Sequence, residues 1–378
     1  MLRFAPNEIM SLIGERPRFD LAESYGPNLH VDELLDAQTR DAVGKLALDY
    51  RTAPGDLGLR TAISRMDGVD ADDVVITVGG MHALFLLAFI LCTPGDEAVV
   101  TSPIFPPARG ALEAVGATIR TIDLTFDGRY RLDPADVRPL LSERTKLVCV
   151  ASPQNPSGVA IPTAVLAKVY AMMRERAPHA YLLVDESYRD AAFGYDPVAP
   201  SALTLGPRAI TTASLSKCHG APGLRLGWVI TRDRALHDQL VIGKFNTVVS
   251  SPAIEEFLAL RLFAVRDRIL AERRAYLATC LARTASWVER NAAFVEWVRP
   301  DAGALCCVRL RPDVFDDTAV DGFYAALGQA GINVAKGTWF GDEARVFRLG
   351  FARLELDELD AAYEAFTAVL ARTAGVPA

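Results

Sequence analysis

No stretch of this 378-residue chain is apolar for long enough to span a bilayer, which takes about 18 residues. The longest apolar run, residues 83–92, follows two glycines and precedes a Thr-Pro-Gly-Asp turn, and so predicts a buried helix. The first twenty residues carry scattered charges and no unbroken apolar core, which argues against a signal peptide and leads to the expectation of a cytoplasmic protein. Cysteine is scarce: the six thiols, at 92, 149, 218, 280, 306 and 307, fall mostly inside apolar runs and lack the paired spacing of a zinc site. No metal centre is expected, and the thiols should be buried and reduced. Basic residues form no cluster interleaved with aromatics, and the net charge of -7 is spread along the chain, so neither nucleic acid nor membrane is expected as a partner. Internal repeats and low-complexity tracts are absent as well.

What is present is an ordinary globular balance, with 51% hydrophobic and 23% charged residues, on a chain longer than one core usually serves. From about residue 72 to 230, short β-rich apolar runs alternate with helix-patterned stretches, the signature of an open, mostly parallel α/β sheet. The runs at 74–78, 98–101, 118–122, 146–151, 181–185, 209–213 and 226–230 predict a seven-stranded sheet, with helices at 81–92, 107–115 and 162–176 between them. Residues 253–290 hold no glycine or proline and repeat apolar residues at helical spacing, so long helices are expected there. Strand-like runs return at VEWV, ALCCVRL and VFRLGF before a last amphipathic helix at 357–371. The expected division is a large domain over 41–285 and a smaller α+β domain made of 1–40 and 286–378.

Chemistry concentrates where three apolar runs end: TKLVCVA before Asn155, YLLVD at Asp185, and AITTA before Ser214 and Lys217. In an open α/β sheet the carboxyl edge of the strands is where ligands bind. Alone, Lys217 would be a solvated surface charge, Asn155 a turn residue and Asp185 a helix cap. Together they match the demands of one cofactor, pyridoxal 5′-phosphate (PLP), which needs an amine for its aldehyde, an anion at its pyridinium nitrogen, donors for its phenolate oxygen and a cradle for its phosphate. Lys217 can supply the amine, Asp185 the anion, and Asn155 and Tyr188 the donors. The strand, glycine turn and helix start of TVGGMHAL offers Gly79, Gly80 and Met81 to the phosphate, aided by Ser214 and Arg225. Phe105, just past another strand, is placed to stack on the ring or else to fill the core.

This set resembles the class I/II aminotransferase family of fold-type I PLP-dependent enzymes, with motifs in the family's order from Tyr50 to Arg348. The resemblance implies that fold and a PLP-dependent aminotransferase, moving the amino group of an α-amino acid to a 2-oxo acid. Lys217 matches the Schiff-base lysine of the SxSK motif, which also serves as the base at the substrate Cα, and Asp185 and Tyr188 match the D-x-x-Y pair at the ring. Asn155 matches the N-P-x-G asparagine, near both ring and substrate, and Ser214 with Arg225 matches the phosphate clamp. Tyr50, five residues before Gly55, resembles the tyrosine that reaches the phosphate of the neighbouring subunit, which implies a homodimer with shared sites. Arg348 resembles the arginine that forks onto the substrate carboxylate; without the family it would read as a surface strand residue.

Several positions depart from the family pattern. Gly80 stands where many relatives have serine and Met81 where many have a polar side chain, so that loop is expected to bind through its backbone. The run from Lys336 to Gly341 lacks the usual proline before glycine, which alters the substrate side of the pocket, and His219 is assigned no catalytic role. Residues 21–26, LAESYG, occupy the stretch that covers the site in the family and are expected to help select the substrate. The same apparatus also serves PLP-dependent lyases, cyclases and oxidases of biosynthetic pathways, so these outcomes stand as the alternative. A non-catalytic sensor usually carries a DNA-binding module ahead of this domain, and with 49 residues before Tyr50 such a sensor is not expected.

Overall fold

Strands buried on both faces read as continuous β-branched and apolar runs, and six such runs pair with one more polar edge strand into a seven-stranded sheet. In chain order they are Val74–Thr77, Glu97–Ser102, Thr118–Asp123, Thr145–Ala151, Tyr181–Asp185, Ala209–Ser214 and Gly227–Thr231. The computed structural model describes residues 3–14, 17–194 and 198–375. Residues 1, 2, 15, 16 and 376–378 of the expected small domain, and 195–197 of the large one, lie outside the described residues. Across the sheet the order is Val74–Thr77, Gly227–Thr231, Ala209–Ser214, Tyr181–Asp185, Thr145–Ala151, Glu97–Ser102, Thr118–Asp123. Gly227–Thr231 is antiparallel to both its neighbours, and every other pairing is parallel. With one reversed strand between them, Val74–Thr77 and Ala209–Ser214 point the same way. The carboxyl end of Val74–Thr77, leading into Gly79, therefore lies on the same edge as Asp185 and Ser214. The edge strand Thr118–Asp123 is largely exposed and correspondingly polar.

Alternate residues of these strands feed two cores. Val75, Val100, Leu183 and Val229 pack beneath the helices Gly79–Leu91, Pro106–Ala114 and Arg234–Val248, whereas Val99, Val148, Leu182 and Val184 face the helix Thr163–Arg176. The helix expected from residue 81 begins two residues earlier, since Gly79 and Gly80 already adopt its first turn. It is not buried all round: Ala83, Leu84, Leu86 and Leu87 are, but Phe89 is 59% exposed. The glycine-free stretch 253–290 breaks at Val265 (φ -119°) into Ala253–Ala264 and Arg266–Arg290. Nothing in its composition marks that break, which lets the first helix pack on the large sheet through Ala259 and Leu262 while the second carries Leu277, Cys280 and Trp287 into another core.

That other core lies under a four-stranded antiparallel sheet ordered Ala335–Lys336, Val346–Gly350, Leu305–Leu310, Val295–Val298. The helices Asp317–Gln329 and Leu356–Thr373 cover it, with Trp287 stacked on Tyr363 at 5.0 Å and edge-on to Phe366 at 4.9 Å. The N-terminal Phe19–Asp20 pairs with Ile332–Asn333, and the next residues run along Val346–Gly350, where the Gly350 N–H donates to the Leu21 carbonyl at 2.7 Å. All six cysteines are free and buried. Among the described residues no cluster of His, Cys, Asp or Glu is suited to a metal ion, and no helix is long and apolar enough to cross a membrane.

A β-carbon at position 350 would collide with the Glu23 carbonyl oxygen. Gly350→Ala must therefore push residues 22–24 away from the small sheet, and overpacking of this kind costs about 1–3 kcal/mol. The expected outcome is a lower denaturation midpoint together with faster proteolysis near residue 23. An unchanged midpoint would show that the segment is held elsewhere.

Candidate active site

Where each strand leaves the sheet, local bonds set the direction of the next residues. After Thr145–Ala151 a tight turn is closed by Gly158 N–H to the Gln154 carbonyl (2.8 Å) and Gln154 N–H to the Val159 carbonyl (2.9 Å). Gly158 sits at φ +72°, and a β-carbon there would lie 2.6 Å from Pro300, so the position needs glycine. This turn presents Asn155, whose Oδ1 accepts from the Arg348 guanidinium at 2.9 Å. Asp185, the last residue of its strand, accepts through Oδ1 from the Ser187 backbone N–H (3.0 Å) and hydroxyl (2.6 Å). Burial raises the Asp185 pKa, opposed by those two bonds and by the charge of Lys217.

Lys217 follows Ser214 by three residues, and its half-buried side chain donates from Nζ to Ser24 Oγ at 2.9 Å. Burial pushes its pKa down to about 8; Arg348 and Arg225 push the same way, while Glu23 and Asp185 oppose them. The buried Tyr188 hydroxyl donates to the same Ser24 oxygen, also at 2.9 Å, and burial raises its pKa. The Tyr25 ring centroid lies 5.4 Å from Lys217 Nζ.

Beside this group is a cradle made of backbone and cation. Arg225 adopts a left-handed conformation (φ 46°) and donates to the Pro222 carbonyl at 2.8 Å. A β-carbon on Gly79 would be 2.5 Å from the Arg225 guanidinium, and one on Gly227 would be 2.7 Å from the Gly79 and Gly80 backbone. Both glycines thus allow Arg225 to lie against the first turn of a 13-residue helix, whose free N–H groups favour an anion. Ser214 faces Gly80, while the Met81 side chain packs into the core beneath. Phe105 caps the helix Pro106–Ala114 and is half-buried against that core.

Arg348 comes from the small sheet. It is 2% exposed, donates to Asn155 and, at 2.6 Å, to the Ala22 carbonyl, and lies 4.9 Å from the Phe340 ring centroid. Its Nε has no partner, and no carboxylate pairs with the guanidinium among the described residues. A buried arginine with spare donors is suited to a planar anion supplied from outside. Asn155, Asp185, Tyr188, Ser214, Lys217, Arg225 and Arg348, with Gly79 and Gly80, therefore converge between the two sheets. Tyr50 does not join them: it is 85% exposed.

The strongest omission in the sequence reading is the bonding of residues 22–27. Motif and spacing said nothing of Ser24 as the common acceptor for Lys217 and Tyr188. Nor did they reveal Arg273, which ties the segment to the lysine loop by donating to the Pro27 carbonyl at 2.7 Å and the Cys218 carbonyl at 2.8 Å. His82 was also missed; its Nδ1 accepts from the Val78 N–H at 3.2 Å, and burial lowers its pKa to about 4, so it acts as a neutral acceptor at the glycine turn. The Ser24 and Arg273 bonds have no signal in one dimension, because each pairs residues from separate elements, whereas the His82 bond closes locally onto the N-cap of its own helix.

Residues 21–366 match the family described as aminotransferase class I and II, and the chain belongs to it. It is similar to arginine–pyruvate transaminase of Pseudomonas aeruginosa, with 29% identity over 83% of this chain and 78% of that one. It is also similar to capreomycidine synthase of Streptomyces vinaceus, with 28% identity over 81% and 77%. The fold matches the crystal structure of a PLP-dependent aminotransferase from Streptococcus suis with a TM-score of 0.88, at 24% identity over 97% and 96% of the two chains. The protein is a PLP-dependent aminotransferase that moves an amino group between an amino acid and a 2-oxo acid. The half-buried carboxyl, the amine and the glycine–arginine cradle described above fit that cofactor.

Proposed function

We propose that Lys217 holds PLP covalently and that the substrate is an α-amino acid gripped by Arg348. One observation carries this reading: the two donors flank a three-residue segment, Arg348 on the Ala22 carbonyl and Lys217 on Ser24 Oγ. An α-amino acid bears an amine and a carboxylate on one carbon, the complement of that pair. When bound, PLP supplies the electron sink that lets the substrate Cα lose its proton. Asp185, held in place by Ser187, would meet the ring nitrogen and keep it protonated. With Asn155 Oδ1 engaged by Arg348, the Asn155 amide N–H would be left to donate to the cofactor's ring oxygen, which Tyr188 would share. Ser214, Arg225 and the Gly79–Met81 amides would hold the phosphate, and Phe105 would be available to stack on the ring. Once free, the Lys217 amine accepts the Cα proton, a role suited to a base whose pKa has been brought down to about 8.

The same reading makes the enzyme a homodimer in which Tyr50 reaches the partner's phosphate. In support, Leu48, Tyr50 and Leu57 are exposed, with Ile254 and Leu260 on the neighbouring helix and Phe89, Ile242 and Phe245 elsewhere on the surface. Six free, buried thiols support a reducing, cytoplasmic setting. A second outcome on the same residues, cyclisation or elimination, is favoured by the likeness to a synthase, and identifying the product separates it from transamination.

Borohydride reduction of the loaded enzyme followed by peptide mapping is expected to place the pyridoxyl group on Lys217 alone. The amine reacts only when neutral, and its pKa is lowered from 10.5 to about 8, so uptake of PLP by the apoenzyme should rise as pH passes about 8 and fade below it. A midpoint near the ordinary lysine value would contradict the burial argument. Arg348→Ala should lower kcat/KM roughly 30-fold or more while PLP stays bound, because losing one partner of a desolvated charge pair costs about 2–5 kcal/mol. Loss of PLP with unchanged amino-acid affinity would move Arg348 to the phosphate side. Mixing inactive Tyr50→Ala chains with inactive Lys217→Ala chains should restore turnover as heterodimers form. Subunit exchange without recovered activity would count against shared sites.

A further inference from the structure

Residue 23 stands between the two contacts that anchor the N-terminal segment, and its own carboxylate is not used. Ala22 accepts from Arg348 and Ser24 accepts from Lys217, while the Glu23 carbonyl is wedged against Gly350, so the backbone of residue 23 has no freedom to leave the site. The Glu23 side chain is half-buried and has no hydrogen-bond or ion-pair partner among the described residues. Its position between the Arg348 and Lys217 contacts sets it at the substrate end of the cleft, and its charge acts on both groups.

In the proposed reading each of the other charges near Lys217 is already engaged. Arg225 takes the phosphate, Arg348 the substrate carboxylate and Asp185 the ring nitrogen. Joining Lys217 to the cofactor takes up the amine on which the Glu23 charge acts. That leaves a partly desolvated carboxylate with no dedicated counter-charge, an arrangement whose cost is relieved by a cation from outside. Neighbouring acids are occupied, since Asp342 accepts from the Tyr130 hydroxyl at 2.5 Å and Asp20 from the Ala22 N–H at 3.2 Å. The competing cation is Arg353, 5.3 Å from the Tyr25 ring centroid, which would suit an acidic donor; Glu23, unlike Arg353, is among the leading charges acting on Lys217 and Arg348.

We infer that Glu23 is a specificity-determining residue that pairs with the cationic side-chain end of a basic α-amino acid, such as arginine, ornithine or lysine. This rests on the reading of Lys217 and Arg348 given above. The test uses the loaded enzyme with pyruvate as acceptor, comparing kcat/KM for arginine, ornithine, lysine, leucine, alanine, aspartate and glutamate. The wild type should prefer a basic donor to leucine. Glu23→Gln should lower the basic-to-leucine ratio about 30-fold, the effect expected of one lost partner in a desolvated charge pair. Glu23→Asp should fall between the two, and titration by visible absorbance without acceptor should show the same loss in affinity for the basic donor. Retained cofactor absorbance in each variant verifies that the site is assembled. A wild-type preference for acidic or apolar donors, or an equal loss for basic and neutral donors in Glu23→Gln, would overturn the inference while leaving the Lys217 reading intact. Failure of every donor with the loaded wild type would sink both.

Discussion

An amine taken out of water has to be compensated where it stands, and the arrangement around Lys217 follows from that requirement. Burial pulls its pKa down, and two guanidiniums, Arg348 and Arg225, pull further. Glu23 and Asp185 act in the other direction, and Ser24 accepts a hydrogen bond from it at 2.9 Å. The balance brings the neutral amine within reach near physiological pH, so that it can both bond an aldehyde and take up a proton. A lysine on the open surface would be a fully charged cation, useful for neither purpose.

That balance draws on groups from opposite ends of the chain. Asp185 and Ser214 arrive on strands of the large sheet, Arg348 on the small sheet, and Ser24 and Glu23 on the N-terminal segment between them. The segment is held mostly by backbone, Leu21 to Gly350 and Asn333, Ala22 to Arg348, Pro27 to Arg273, with the Ser24 hydroxyl as its side-chain anchor. Arg273 also holds the Cys218 carbonyl, one residue beyond Lys217, so the segment and the lysine loop share an anchor. Backbone anchoring on either side leaves the side chain of residue 23 able to vary in chemistry without loss of position, which is how one fold accommodates different donors.

Much of this was legible in the sequence for a simple reason. Parallel strands covered on both faces are written as unbroken runs such as YLLVD and TKLVCVA, so their ends, and the residues just past them, can be read directly. Glycines at forced conformations are equally plain, because Gly79 and Gly158 have positive φ and no room for a β-carbon. The break at Val265 was not legible: it has no glycine or proline and arises because two helices must serve different cores. Nor was the exposure of Phe89, since a helix rich in apolar residues looks the same whether its outer face meets protein or solvent.

The sequence by itself determined the sheet, the order of its strands along the chain, and the residue types standing at strand ends, because these depend on local periodicity and on chemistry carried within a few positions. Tertiary structure alone decided that Arg348 is a buried guanidinium with spare donors rather than a surface residue, and that Ser24 serves Lys217 and Tyr188 together. It also decided that Glu23 is left without a partner among the described residues. Each of the bonds behind these properties joins groups about 160 to 330 residues apart, and the spacing of residues in a chain carries no record of which distant atoms will meet when the sheets close over them.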